Sequence, residues 1–170
     1  MTIDRRTAIR TALATLPAAW LALSSRAGAQ DSQKLTTFLV DLPGWTSNNA
    51  DGPPILIPAG ANMVRATRSY KRGSAKINAG IVIGDGVPGT LLIMQNFVKH
   101  EIPGLRMSSS PVNGFAVLRS FATKENISTI MVAFSTNACF VFYSEGIPED
   151  EAFGLARRFD WKGMQAALPK

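Results

Sequence analysis

His100 is the one histidine of the 170-residue chain, and Cys139 is its one cysteine. Each could act as a nucleophile, base or ligand, but neither has the neighbours that such chemistry needs. A metal site takes several converging ligands. His100 stands between Lys99 and Glu101 with no cysteine or histidine cluster around it. It reads as a solvated histidine at the negative end of a helix. Cys139 lies in the apolar run Ala138-Cys139-Phe140-Val141-Phe142 and reads as a buried, inert thiol, because reactivity needs a basic and partly exposed setting. A Ser/His/Asp or Cys/His catalyst would need His100 to meet its partners across the fold, and no spacing in the sequence points to that. No cofactor and no metal are expected.

Carboxylates are the remaining acid–base candidates. Glu149, Asp150 and Glu151 cluster where a helix starts, which the helix dipole explains. Asp41, Asp51 and Asp85 lie near turns, where aspartate serves the backbone. A small hydrolase using carboxylates or His100 is therefore the alternative reading. Gly80, Gly84, Gly86 and Gly89 precede a helical pattern, but the glycine spacing and the Lys-Ser/Thr of a phosphate loop are missing.

One stretch offers binding chemistry. Trp45 and Tyr70 are aromatic, and Arg65, Arg68, Lys71, Arg72 and Lys76 supply positive charge nearby in sequence. Aromatics beside arginines suit an anion or a protein partner. Trp45, Arg65, Arg68, Tyr70 and Arg72 are the candidate binding residues. The competing structural role puts Trp45 and Tyr70 in the core, with the basic residues on a solvated strand face. The expected partner is an envelope protein or a small anionic ligand.

Residues 1–29 carry an export pattern. Arg5, Arg6 and Arg10 form the positive end, Thr11 to Leu23 the apolar run, and Ala27-Gly28-Ala29 the small residues a signal peptidase reads. Cleavage between Ala29 and Gln30 is expected. The apolar run is shorter than the ~20 residues that span a bilayer, so stable membrane insertion is not expected, although an uncleaved anchor is the alternative. Asp4-Arg5-Arg6-Thr7-Ala8-Ile9-Arg10 keeps the two arginines of a twin-arginine signal. No cysteine stands at the cleavage site, which argues against a lipoprotein. Without residues 1–29 the basic residues fall from 18 to 14, the acids from 12 to 11, and the net charge from +6 to +3. That surplus is ordinary for a soluble surface and does not point to nucleic acid. A periplasmic or secreted location follows, with residues 30–170 as one domain.

The elements that must position these residues are mostly strands. Val64, Ala66, Arg68 and Tyr70 alternate with Arg65, Thr67, Ser69 and Lys71, and Ala75, Ile77, Ala79, Ile81 and Ile83 repeat the pattern beyond Arg72-Gly73-Ser74. This predicts a hairpin. Phe115 to Phe121, Ile127 to Phe134 and Ala138 to Ser144 read as three more strands, the last two apolar enough to be central. Ile55-Leu56-Ile57, fenced by prolines, reads as an edge segment. Leu105 to Pro111 reads as a serine-rich loop. Pro88 to Lys99 reads as a helix, Ile147 to Arg158 as another, and Asp160 caps a last short one. The expected class is α+β: an antiparallel sheet of five to six strands packed with two main helices, beside a separate N-terminal signal helix.

Leu42-Pro43-Gly44-Trp45, followed by Tyr70-Lys71-Arg72-Gly73 and ending in Phe159-Asp160-Trp161, resembles small exported bacterial proteins with an LPGW…YxxG opening. The element order is also similar to PsbP-like and DcrB-like α/β sandwiches. The resemblance implies a sandwich fold and an exported location, and no catalytic residue.

Overall fold

The computed structural model describes residues 32–48, 64–85, 87–88 and 102–169. Seven strands make one sheet: β1 (Thr46–Asn48), β2 (Val64–Arg72), β3 (Ala75–Ile83), β4 (Leu105–Val112), β5 (Phe115–Ala122), β6 (Ile127–Ser135) and β7 (Ala138–Glu145). Their order is β1-β2-β3-β7-β6-β5-β4, and every neighbouring pair is antiparallel. The chain builds one meander, jumps to the far edge, and returns strand by strand until β7 closes against β3. Helices α1 (Glu149–Ala156) and α2 (Trp161–Ala166) follow.

The β2–β3 hairpin forms in the register its alternation predicts, from Val64 opposite Ile83 to Arg72 opposite Ala75. Gly73 takes the positive φ, +59°, that its turn demands. The apolar strands β6 and β7 lie inside the sheet, covered on both faces.

The expected class is overturned. The fold is a seven-stranded antiparallel sheet with short helices, not five to six strands packed with two main helices. α1 has eight residues and α2 has six, too little to roof a sheet. Residues 32–45 share that task, with Leu35, Leu39, Leu42 and Trp45 joining the helices over the same face. The largest single error concerns Leu105–Val112, an eight-residue edge strand where a loop is expected. Its serines say little about conformation, but Asn113-Gly114 beyond it is a strong hairpin signal. Both turn residues sit at positive φ, +53° and +86°. The helix expected at Pro88–Lys99, the segment at Ile55–Ile57 and the signal region all lie outside the described residues, apart from a helical start at 87–88.

The main core fills one sheet face. Phe159, which follows α1, sits at its centre, with its ring 5.0 Å from Phe140, 6.2 Å from Phe142 and 6.3 Å from Tyr70. Such edge and tilted contacts add about 0.5–1.5 kcal/mol per pair beyond area burial. On the opposite face Val82, Val87, Leu118, Met131, Cys139 and Val141 form a second buried cluster. A bulge in β6 at Ala133/Ser135 frees the Phe134 carbonyl, and Gln165 Nε2 of α2 donates to it at 2.9 Å. The acidic first turn of α1 is gripped from two strands. Arg72 of β2 reaches Glu151 at 2.5 Å, and Arg106 of β4 reaches Glu149 at 2.7 Å.

Candidate functional site

Strand alternation decides which candidate residues can meet. Arg68, Tyr70 and Arg72 share the core face of β2, while Arg65 points to the other side. The expected patch is therefore split: Trp45, Arg68, Tyr70 and Arg72 gather along one margin of the core, without Arg65. The Arg65 carbonyl accepts a hydrogen bond from Ser32 Oγ at 2.6 Å, which ties the N-terminal segment to β2.

Trp45 and Tyr70 are buried in the core. Tyr70 Oη donates to the Val40 carbonyl at 2.8 Å. Burial pushes its hydroxyl up to about 12; Arg68 pulls it down and Asp41 pushes it up. Arg72 lies over the Trp45 ring, 4.4 Å from its centroid, while holding Glu151. Its charge is spent on anchoring α1.

Arg68 is different. Its Nη1 donates to the Leu39 carbonyl, and its Nη2 to Asp41 Oδ1 and to Ser47 Oγ, the last at 2.7 Å. Ser47 Oγ in turn donates to Asp41 Oδ1 at 2.9 Å. Arg68 Nε is buried and has no partner. The Arg68 side chain is only 17% exposed, whereas that of Asp41 is 81% exposed. A half-buried guanidinium thus faces an open depression of about 600 Å³ lined by Gln33, Thr36, Thr37, Leu39, Asp41 and Arg68. Its counterion is a loop carboxylate standing in water.

A guanidinium edge of this kind can take an anion. Nε and Nη2 lie on one edge of the guanidinium, the edge that a carboxylate caps with both oxygens. Asp41 uses one oxygen and leaves Nε unanswered. Thr36 and Thr37 donate their hydroxyl protons to the Ser32 and Lys34 carbonyls, so neither hydroxyl donates into the depression.

A second depression, of about 480 Å³, lies between the β4–β5 turn and the helices, lined by Asn113, Phe115, Arg157, Asp160, Trp161 and Lys162. Two of its charged groups are engaged within the fold. Asp160 Oδ1 accepts from Gly163 N at 3.0 Å as the cap of α2, and Arg157 lies over Phe153.

The remaining chemical candidates do not converge. Cys139 is fully buried, and burial pushes its thiol up to about 12. Among the described residues no group of three His, Cys, Asp or Glu side chains could hold a metal ion. Glu149, Asp150 and Glu151 occupy the first turn of α1, as their positions predict. His100 and the cleavage residues Ala29 and Gln30 lie outside the described residues.

Sequence reasoning missed Asp41 and Ser47 as partners of Arg68. Asp41 lies 27 residues before Arg68, so their pairing depends on how residues 32–48 fold back along β2. The local clue was the Asp41-to-Ser47 span around Pro43-Gly44, a turn that brings the two side chains together. No protein-family model, no curated protein and no solved structure matches the chain.

Proposed function

We propose that this protein is a non-catalytic exported module that binds a small anionic ligand of the carboxylate class at Arg68. The observation that carries the reading is the mismatch at that residue: a 17% exposed guanidinium with an unpartnered Nε, shielded by an 81% exposed carboxylate. A pair with one member standing in water contributes on the order of 1 kcal/mol, so swinging Asp41 aside costs an incoming ligand a factor of roughly five. A bidentate ligand would then cap Nε and Nη2 together, a stronger contact than the one it displaces.

Export is part of the proposal. The basic end, short apolar run and small residues before Gln30 support it. Intact mass of protein recovered from the envelope fraction is expected to report a chain starting at Gln30; a chain retaining Met1 would contradict a cleaved signal.

Binding is tested by calorimetric titration of the purified protein with citrate as the probe. Saturable binding is expected, and Arg68→Lys is expected to weaken it at least tenfold, because a lysine cannot present a two-donor edge. Equal citrate affinity in wild type and Arg68→Lys, both folded by circular dichroism, would remove Arg68 from the site.

A further inference from the structure

Four strand arginines point to the side of the sheet that the helices cover: Arg68 and Arg72 on β2, Arg106 on β4 and Arg119 on β5. Each lies over an aromatic ring, respectively Tyr70, Trp45, Phe121 and Phe153. Three of them also meet a carboxylate, from Asp41, Glu151 and Glu149 in the same order. Arg119 is the exception. Among the described residues no Asp or Glu pairs with it, and its side chain makes one hydrogen bond, from Nε to Ser108 Oγ at 3.2 Å.

Arg119 is partly buried, so its charge has given up part of its hydration. Stacking on Phe153, with the guanidinium carbon 4.7 Å from the ring centroid, covers a face of the group and uses none of its N–H donors. The bond to Ser108 fixes it from the Nε side. Both Nη nitrogens keep their protons for an outside acceptor, and Ser108 gives its own hydroxyl proton to no described residue.

A second guanidinium reaches the same ring. Arg157, just past α1, stands 5.9 Å from the Phe153 centroid and is also without a carboxylate among the described residues. The acids of the helices do not answer either charge. Glu149 and Glu151 are held by Arg106 and Arg72, and Asp160 caps α2. Asp150, one turn before Phe153, is exposed and pairs with neither arginine.

We propose that Arg119 and Arg157 hold a phosphate-class dianion beside the Phe153 ring, with the Ser108 hydroxyl as a third donor. The site is independent of Arg68, because β3, β7 and β6 lie between β2 and β5. The class follows from the donors. Two guanidiniums on different elements and a hydroxyl reach for different oxygens, which a tetrahedral dianion supplies; a lone carboxylate is used up by a single guanidinium edge. Arg157 also lines the depression of about 480 Å³ beside the β4–β5 turn, so the organic group of a phosphate monoester has room there.

The experiment is a nitrogen-15 NMR titration of the full chain at constant ionic strength, with inorganic phosphate as the first probe and phenyl phosphate as the second. Saturable shifts in the low millimolar range are expected at Ser108, Arg119, Phe153 and Arg157. Tighter binding of phenyl phosphate assigns the site to a monoester, and equal or weaker binding to free phosphate. Arg119→Lys is expected to weaken binding about tenfold, because lysine lacks the planar fork. Arg157→Gln, at an exposed position that carries no packing, is expected to weaken it about threefold. Arg68→Lys is expected to leave it unchanged, which separates this site from the carboxylate site. No saturable shift with either probe, unchanged affinity in a folded Arg119→Lys or Arg157→Gln, or loss of binding in Arg68→Lys would overturn the proposal.

Discussion

Arg68 shows how a side chain can be half in the core and still be available. Its stem lies along the core margin with Tyr70, its guanidinium is fastened to the Leu39 carbonyl, and its charge is met by a carboxylate in water. Arg72 and Arg106 are the contrast, each engaged with a glutamate of α1 and stacked on an aromatic ring. Three arginines of similar sequence context thus have different duties, and only the positions of their partners tell them apart. Two serines mark another site that composition hides. Ser128 and Ser144 face each other across β6 and β7, both buried, and neither hydroxyl has a partner. A buried unanswered hydroxyl costs roughly 1–3 kcal/mol, and a methyl group fits the same space. Ser128→Ala with Ser144→Ala is therefore expected to raise stability by about 1 kcal/mol in urea unfolding. A loss of that size would mean the hydroxyls are engaged with something that holds the strands together.

At the scale of elements, α1 and α2 are short because their neighbours hold them in place. α1 is held by its acidic first turn between two strands, and α2 by the Asp160 cap and by Gln165 on the β6 bulge. Their glycines make a matched test. A Cβ on Gly163 would stand 2.3 Å from Asp160 Oδ2 and 2.9 Å from Phe38 Cε1, so it would break the cap. A Cβ on exposed Gly154 in α1 would meet nothing within 4 Å. Gly163→Ala is expected to cost about 1–2 kcal/mol despite alanine's helix preference, and Gly154→Ala to gain about 0.5–1 kcal/mol. Thermal unfolding of both variants decides; a rise in melting temperature for Gly163→Ala would refute the cap account. The strands were the most legible elements. Period-two alternation and unbroken apolar runs are local properties, so β2, β3 and β5 could be read from the first and β6 and β7 from the second. β4 could not, because an edge strand without a buried residue has little apolar rhythm to show. The helices were overweighted for the opposite reason: proline starts and acidic turns mark where a helix begins, not how far it runs.

At the scale of the molecule, the order β1-β2-β3-β7-β6-β5-β4 is what periodicity cannot supply. Local patterning gives hairpins; it does not say that the last strand closes against the third. That closure brings Phe140 and Phe142 beneath Phe159 and so fixes the core on whose margin Arg68 stands. The candidate site was legible in part. Trp45, Arg68, Tyr70 and Arg72 do cluster, Arg65 falls on the far face, and Asp41 and Ser47 entered only through the fold. In the proposed binding reading, Asp41 occupies the place a ligand's carboxylate would take. The most direct test is citrate titration of wild type beside Asp41→Asn. Removing the resident charge is expected to raise citrate affinity by about three- to tenfold, since the ligand no longer displaces a resident ion pair or approaches a second negative charge. Unchanged or weaker citrate binding in Asp41→Asn would contradict the account.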